Sequence, residues 1–408
     1  MMRKRIVFII LAVWALLLST FATTIETDRT WYLAGEQMKV SVTADDALIA
    51  YAELCDTHGL AAGVVVGLEE GRGTGIIELP SDLHSGYYVL SAYTNHNPNV
   101  THRLVAIINP LHKGKADDMK WVSGDSCWVT ADGTADLISE KTVDMRETEG
   151  HIIKARIKNV FDSHTFSGSQ ICPSMSIIGK QIHYFEGKMV NDSIAVFYTY
   201  GIHGKQPLVL SAMSSTDVSL PIEIISPFAT LLPKKLPHLV FHYKRSEVEA
   251  RSLDMQRHQK IKERDENQAI GRPLDYDETV FGTKPDLTYN LDEYRQFLSI
   301  REVLLEYVDC VKKIKQNDVS KLIVRRGQDH YNSSLPTLVL IDGMPVFDIE
   351  RLLNYDARRI HYINIYGGQY TFGNGVYNGI LSFITRSGQL TNYPTERNMQ
   401  YLVYDFPE

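Results

Sequence analysis

The stretch that decides the fold runs from Leu335 to Gly388 and reads LPTLVLIDGMPVFDIERLLNYDARRIHYINIYGGQYTFGNGVYNGILSFITRSG. It opens with an apolar run that ends at Asp342-Gly343, a pair with strong turn propensity. A short helical pattern follows, and then an alternating strand from 360 to 366, glycine-rich turns such as Gly367-Gly368, and a last strand from 379 to 385. Together with a preceding helix and strand, this order predicts a small α+β sheet with helices on one face.

In order and spacing, this stretch resembles the plug domain of TonB-dependent outer-membrane receptors. That family combines a strand closing on a D-G-x-P turn, a helix, an I-x-x-I-x-V strand and a tail containing N-G and T-[KR]-x-G. The matching residues are Asp342, Gly343, Pro345, Ile360, Ile363, Ile365, Phe372-Gly373, Asn378-Gly379-Ile380, Phe383, Thr385-Arg386 and Gly388. Several ordered matches are more specific than one short motif. The resemblance implies a plug-like fold over residues 289–390.

In that family the plug occludes a barrel of the same chain. A receptor barrel of ~22 strands at ~10 residues each needs more than ~220 residues in strands alone, whereas only twenty residues follow Gly388. We therefore expect a plug-like domain that docks on an outer-membrane β-barrel encoded separately. The resemblance places the candidate contacts in the turn and the following loop, at Asp342, Gly343, Pro345, Tyr370, Phe372, Gly373, Asn378 and Gly379.

The N-terminus has the pattern of a secretory signal peptide over residues 1–22. A basic start (Arg3 to Arg5) precedes an apolar run from Ile6 to Leu18 and a small residue, Ala22, at the exit. An uncleaved membrane anchor is the alternative, although the apolar run is short for a bilayer. The pattern predicts an exported protein that is periplasmic or associated with the outer membrane.

Charge and cysteine usage exclude several classes of function. Loss of residues 1–22 removes three cations and no acid, so the net charge falls from −7 to −10, which argues against a nucleic-acid partner. Without a C-x-x-C motif, the cysteines do not predict a metal cluster or a redox site. Disulfides and buried free thiols both remain open for Cys55, Cys127, Cys172 and Cys310.

Residues 25–112 are dense in short strands separated by turn residues, which predicts an antiparallel β-sandwich. Within them, 28–36 (DRTWYLAGE) and 79–94 (LPSDLHSGYYVLSAYT) resemble the opening and closing strands of a macroglobulin-type domain of the MG2 kind, as in Bacteroidetes-like surface proteins. The resemblance implies an immunoglobulin-like spacer or interaction module. The C-G-E-Q thioester motif of some macroglobulins is missing from the sequence.

The rest of the chain divides by composition. Residues 146–230 predict a second small β-sandwich, and 116–149 are expected to bridge the two. Residues 244–288 predict a charged, exposed helix or linker. Apolar residues at three- and four-residue steps from Ile300 to Ile314 predict a helix at the start of the plug-like domain. Residues 391–408 are assigned as a C-terminal tail.

No catalytic, metal-binding or cofactor-binding constellation stands out. Ser126 lies in a G-D-S triplet, but bulky Cys127 and Trp128 follow, so a turn is the better interpretation than a nucleophile. His238 and His242 would suit zinc on a helix, yet the apolar residues between them favour a strand, where this spacing separates them. We expect neither a metal nor a cofactor.

The sequence leaves two functions open. The first is a non-catalytic envelope protein whose plug-like domain docks on or occludes a barrel, as an accessory of transport or secretion. The second is a surface binding or adhesion module that recognises a glycan or host protein through its aromatic loops, including Tyr366, Tyr370, Phe372 and Tyr377. Packing of these aromatics over the core of the small sheet is an equally open interpretation. A hydrolase using Ser126 is a distant third, because its supporting residues are missing.

Overall fold

The computed structural model describes residues 23–45, 47–111, 119–158, 160–161, 164–179, 182–269, 279, 281–316, 318–325, 335–372, 375–388, 390, 393 and 395–408. The predicted signal peptide and Gly373 of the expected contact loop lie outside these residues. Within the described ranges, no helix has the length and apolar character needed to cross a membrane.

The strands and helices are as follows in chain order. The first part of the chain contains β1 Thr24–Thr27, β2 Trp31–Leu33, β3 Gln37–Thr43, β4 Ile49–Cys55, β5 Leu60–Gly67, β6 Arg72–Glu78, β7 Gly86–Tyr93, β8 Thr101–Ile108, β9 Met119–Ser123 and β10 Trp128–Asp132. The middle contains β11 Ile152–Ile157, β12 Val160–Phe161, β13 His164–Thr165, β14 Ile171–Ile177, β15 His183–Glu186, β16 Lys188–Met189, β17 Ile194–Tyr198, β18 Gly204–Ser214, β19 Ile222–Ile224 and β20 His238–Tyr243. The remainder contains α1 Arg245–Ala269, β21 Leu287–Asn290, α2 Ile300–Tyr307, β22 Val311–Gln316, β23 Val319–Val324, β24 Leu338–Ile341, β25 Met344–Pro345, α3 Ile349–Leu353, β26 Ile360–Phe372, β27 Gly375–Thr385 and β28 Gln400–Phe406.

The first sandwich, β1 to β8, packs the sheet β1-β3-β6 against the sheet β2-β8-β7-β4-β5. The alternation of strand β3 explains this packing. Met38, Val40 and Val42 are buried, whereas the residues between them are exposed. This alternation places one face of the strand in a shared apolar core with β4, β7 and β8. The predicted sandwich is confirmed.

A third, smaller sheet joins the first sandwich to the later chain. It has the order β10-β20-β9, and Met119, Leu239 and Phe241 pack in one cluster with Trp31 of the first sandwich. Helix α1 begins on the same surface. The Arg251 guanidinium carbon lies 3.7 Å from the Trp31 ring centroid, and its Nε donates to Glu36 Oε1 over 3.0 Å. The start of the predicted charged helix is thus fixed to the first sandwich.

The second sandwich pairs the sheet β16-β17-β11-β19 with the sheet β15-β14-β18-β28. Its last strand comes from the segment assigned as a tail: β28 pairs antiparallel with β18, with Leu208 opposite Leu402. Tyr404 and Phe406 of β28 lie in the core of this sandwich. Residues 391–408 therefore contain a structural strand of the middle domain.

The C-terminal domain, residues 287–388, is built on the mixed sheet β21-β26-β27-β24-β25. Helices α2 and α3 cover one face of this sheet and form the main core with it. Helix α2 begins at a capping box in which Ser299 and Glu302 satisfy each other's backbone N–H groups. The predicted α+β fold with helices on one face is confirmed.

Two local expectations were wrong. The helix predicted to continue to Ile314 ends at Tyr307, and Val311 and Ile314 lie in β22. Strand β22 forms a hairpin with β23, and this pairing outweighs the helical spacing of the apolar residues. Gly367-Gly368 is not a turn but part of β26, at a β-bulge where the register to β27 shifts.

Candidate functional site

The predicted D-G turn is a two-residue hairpin between β24 and β25. Asp342 and Gly343 have φ values of 48° and 93°, and positive φ at both central residues is the geometry of a type I′ turn. A Cβ on Gly343 would lie 2.9 Å from Ile182 Cγ2 and 3.0 Å from the Ile177 carbonyl oxygen. Glycine is needed here both for the backbone conformation and because the second sandwich packs directly on the turn.

The Asp342 side chain is 1% exposed. Its carboxylate accepts hydrogen bonds from the Thr385 N–H at 2.7 Å, the Thr385 hydroxyl at 2.6 Å and the Leu390 N–H at 2.8 Å. Burial raises the pKa of Asp342, although these donors oppose the shift. Its carbonyl oxygen accepts the Gly179 N–H over 3.2 Å, so the residue links the turn to β27 and to the second sandwich.

Pro345 is also buried, like the two turn residues before it. The turn expected to contact a partner is therefore an internal contact of the chain. In this conformation Asp342, Gly343 and Pro345 do not form part of its surface. The physical reason is that the second sandwich covers this end of the C-terminal sheet.

The aromatic residues expected on exposed loops form instead a packed aromatic cluster. They cover the face of the C-terminal sheet opposite α2 and α3, where Tyr184 of β15 meets them. The cluster consists of the buried Tyr184, Leu338, Leu340, Tyr366 and Ile380 and the partly buried Phe281, Tyr370, Phe372 and Tyr377. Tyr184 packs edge-on against Phe372 at 5.5 Å between ring centroids. Of the two interpretations open for these aromatics, an exposed binding surface and packing over the core of the sheet, Tyr366 follows the second, because it is fully buried.

A short polar chain runs through the aromatic cluster. The Tyr377 hydroxyl lies 3.0 Å from the Tyr184 hydroxyl and donates to Glu186 Oε2 over 2.9 Å. Burial raises the pKa of Tyr184 to about 12 and also raises the pKa of the Glu186 carboxyl. The chain of three groups fastens the β26–β27 hairpin to the second sandwich.

Asn378 and Gly379 hold the start of the last strand. The Asn378 N–H donates to the Pro336 carbonyl over 2.8 Å, and its own carbonyl accepts from the Thr337 hydroxyl at 2.9 Å. Gly379 has a φ of 83°, and a Cβ there would lie 3.0 Å from Val324 Cβ. Both residues have a structural role in joining β27 to β24 and β23.

The weaker catalytic and metal-binding candidates from the sequence lie in or beside strands β10 and β20. Ser126 lies in an exposed connection between β9 and β10. His238 and His242 lie in strand β20, as predicted, and His242 stacks on Trp128 at 3.6 Å between ring centroids. Among the described residues, no group of three or more His, Cys, Asp and Glu side chains is arranged to hold a metal ion.

The structure also forms a cavity that no sequence pattern indicated. This junction cavity, of about 190 Å³, lies where the two sandwiches meet. Its aromatic residues and its charged residues come from six separate segments of the chain. They include Tyr51, Tyr93, Lys141, Asp144, Lys154, Phe228 and Tyr404. Because these segments are far apart in sequence, only the packing of the two sandwiches brings them together.

A buried polar network lies next to the cavity and bonds to the hydroxyls of two of its lining residues, Tyr51 and Tyr404. The Glu147 carboxylate accepts from the Tyr51 hydroxyl at 2.8 Å and lies 2.9 Å from His151 Nδ1. His151 Nε2 lies 2.7 Å from the Tyr404 hydroxyl. The network joins β4 of the first sandwich to β28 of the second through buried, hydrogen-bonded groups, as buried polar side chains require.

Comparisons with known proteins give only distant structural likeness. No family model matches the chain, and no curated protein matches it. The solved structure of Escherichia coli alpha-2-macroglobulin activated by porcine elastase is 11% identical over 50% of this chain and 20% of its own, with a TM-score of 0.19. Salmonella alpha-2-macroglobulin reacted with methylamine is 10% identical over 53% of this chain and 14% of its own, with a TM-score of 0.20.

A third similar structure is the Escherichia coli adhesin FdeC, 12% identical over 53% of this chain and 63% of its own, with a TM-score of 0.18. The chain thus spans less than two thirds of the length of each of these three proteins. At such TM-scores the likeness carries no argument about function. The class of the protein, a multidomain β-sandwich protein with a small α+β domain, is established by the strand pairing itself.

Proposed function

We propose that this chain is an exported, non-catalytic cell-envelope protein whose plug-like C-terminal domain docks on or occludes a separately encoded outer-membrane β-barrel. It would serve as an accessory of transport or secretion, with the first sandwich acting as a macroglobulin-like spacer. The proposal rests on the way in which the C-terminal domain packs against the second sandwich. Its turn and its aromatic cluster are fixed to the second sandwich, so the helix-covered face is the one presented outward.

The presented face carries exposed apolar side chains. Leu298, two residues before α2, and Leu305, on the outer side of α2, are 68% and 77% exposed. Exposed apolar side chains on one short segment supply surface for a contact with another protein. Aromatic rings adjoin this surface, since Tyr294 packs against Tyr307 at 4.7 Å between ring centroids. These residues replace the buried turn as the proposed contact with the barrel.

Site-specific photo-crosslinking in cells tests this proposal. A crosslinking amino acid at position 305 is expected to capture an integral outer-membrane protein. The matched control is position 76, an isoleucine of β6 that is 49% exposed in the first sandwich, where no such product is expected. Purification as a soluble monomer from solubilised membranes, without any crosslinked membrane protein at position 305, would contradict the proposal.

A second candidate function is a surface binding module. The observation that favours it is Trp128, which is 47% exposed and stacks on His242 with ring planes 3° apart. Exposed aromatic rings supply rigid contact area for a partner. If binding to a host surface depends on this pair, Trp128→Ala will abolish adhesion while Tyr370→Ala, within the aromatic cluster, will not. Loss of adhesion in Tyr370→Ala but not in Trp128→Ala would instead place the binding surface at the aromatic cluster.

A further inference from the structure

Strand β28 is an edge strand of the second sandwich. It is the last member of the sheet β15-β14-β18-β28, and it pairs with β18 over its whole length without a shift of register. Natural edge strands are commonly very short, or are blocked by a lysine, a proline or a β-bulge. The two-residue edge strands β16 and β25, which contain Lys188 and Pro345, follow this rule. Strand β28 has seven residues and none of these features, so its outer edge is suited to pairing with a further strand.

The direction of the backbone groups at this outer edge follows from the strand pairing. The Pro207 carbonyl oxygen in β18 accepts from the Ile178 N–H over 3.1 Å, so it points away from β28. Val403 lies directly opposite Pro207, and in an antiparallel ladder the backbone groups of such a pair both point outward. The N–H and C=O groups of Val403, and by alternation those of Tyr401 and Asp405, therefore face the outer edge. Among the described residues, no partner satisfies the N–H groups of Tyr401 and Val403 there.

The side chains of the same three residues are exposed. Tyr401 and Val403 are 52% and 61% exposed, and Asp405 is exposed with them on the outer face of the sheet. The alternate residues Tyr404 and Phe406 lie in the core of the second sandwich, so the orientation of β28 is fixed. A strand added at the outer edge would therefore meet a fixed row of tyrosine, valine and aspartate side chains.

This row of side chains is complementary to itself in the antiparallel direction. If a second copy places its own Val403 opposite Val403, then Tyr401 of each copy lies opposite Asp405 of the other. The two valines form an apolar contact at the centre, and on either side a phenol hydroxyl can donate to a carboxylate. Directly opposed side chains of an antiparallel pair are close enough to interact in this way. The outward-facing residues of the two strands would also exchange about six backbone hydrogen bonds.

We propose that this protein forms a symmetric homodimer by antiparallel pairing of β28 with β28 of a second copy, which joins two four-stranded sheets into one continuous sheet. The two-fold axis of such a pair is perpendicular to the sheet, so equivalent faces of the two copies lie on the same side. Val209, opposite Tyr401 in β18, packs in the main core of the C-terminal domain. Both C-terminal domains would therefore lie on one side of the shared sheet. The dimer does not depend on docking to a barrel.

Analytical ultracentrifugation of the purified protein across the micromolar range tests the proposal, and a dimer in equilibrium with monomer is expected. Val403→Lys would place two ammonium groups opposite each other at the two-fold axis. Because like charges directly opposite destabilise a strand pair, this variant should raise the dissociation constant of the dimer about tenfold or more. The matched control is Val190→Lys, at a valine that is 55% exposed beside β16, which should leave the dissociation constant unchanged.

A mixing experiment tests the register itself. Val403→Glu alone should also be monomeric, but a mixture of Val403→Glu with Val403→Lys should form a dimer again, because residue 403 of one copy faces residue 403 of the other. A mixture that stays monomeric overturns this register. A wild-type protein that is monomeric throughout the concentration range overturns the dimer, and equal loss in Val403→Lys and Val190→Lys overturns its assignment to β28. Thermal unfolding of each variant confirms that the comparison is between folded proteins.

Discussion

Thr385 donates both its backbone N–H and its hydroxyl to the carboxylate of Asp342, at 2.7 and 2.6 Å. These two residues lie 43 positions apart, one in a hairpin turn and the other at the end of β27. Because the same aspartate also accepts from Leu390 and bonds to Gly179 through its carbonyl, it holds three segments together. Asp342, one of the residues on which the resemblance to the plug family rests, thus has a structural role in the C-terminal domain.

Asp342→Asn is expected to destabilise the chain by about 1–3 kcal/mol, because an amide NH₂ would face one of the buried donors and leave it unsatisfied. Denaturant unfolding of the purified protein measures this. The same substitution at the exposed Asp125 is the control and should change the free energy of unfolding little. A variant as stable as the wild type would show that the hydrogen bonds to Thr385 contribute nothing net.

Glu186→Gln is expected to stabilise the protein at neutral pH. Burial raises the pKa of Glu186 above its ordinary value of 4.5, so the folded state binds this proton more tightly than the unfolded state does. The corresponding stability is present below pH 4.5 and is lost as the pH rises through the folded-state pKa. Glutamine stays neutral and still accepts from Tyr377, so its advantage should appear near pH 7 and vanish near pH 4.

Urea unfolding at both pH values checks this prediction. Glu26→Gln, at an exposed position of β1, measures the background effect of removing one negative charge from an acidic protein. An advantage of Glu186→Gln that is equal at pH 4 and pH 7 would show that ionisation of this carboxyl does not oppose folding.

Gly379→Ala is expected to cost about 1–3 kcal/mol of stability, since a side chain would be forced into a left-handed backbone conformation. The Cβ would also lie 3.1 Å from the Tyr366 carbonyl oxygen. Gly86→Ala is a matched control, because nothing lies within 4 Å of a Cβ there. Thermal unfolding should separate the two variants, and equal melting temperatures would contradict the strain argument.

Thiol labelling should distinguish the cysteines. All four are free thiols in the structure, with Cys172 exposed and Cys55 buried, and burial raises the pKa of Cys55 to about 12. A maleimide is expected to label Cys172 in the native protein, faster at higher pH because the thiolate is the nucleophile. Cys55 should react only after unfolding. A peptide pair linked by a disulfide in the mass spectrum would contradict the free-thiol state.

Local chemistry explains which features the sequence predicted well. Asp342-Gly343 specifies its turn through backbone preferences of two adjacent residues, and β3 specifies its buried face through simple alternation. In contrast, the apolar spacing that predicted a helix to Ile314 extends past Val308, and the choice between helix and strand there depends on pairing with β23. That pairing is tertiary information.

The aromatic cluster and the junction cavity were harder to predict for the same reason. Tyr366 ends the strand predicted over 360–366 and Tyr370 lies beyond it among glycines, and nothing nearby in the sequence shows that Tyr184 will pack with them. The junction cavity is lined by residues as distant in sequence as Tyr51 and Tyr404. No short motif encodes such a site, because its walls exist only once two separately patterned sandwiches have packed.

The pairing of strand β28 has a consequence for the order in which the domains can fold during synthesis. The C-terminal domain is inserted in the sequence between two strands of the second sandwich. The chain leaves this sandwich after β19 and continues through β20, α1 and the C-terminal domain. It then returns as β28, which pairs with β18. The middle domain cannot complete its sheet until residues 400–406 have been synthesised. The C-terminal domain is therefore attached to the second sandwich by its return segment and also through its packed face. Its position relative to that sandwich is fixed by these two connections rather than by one flexible linker.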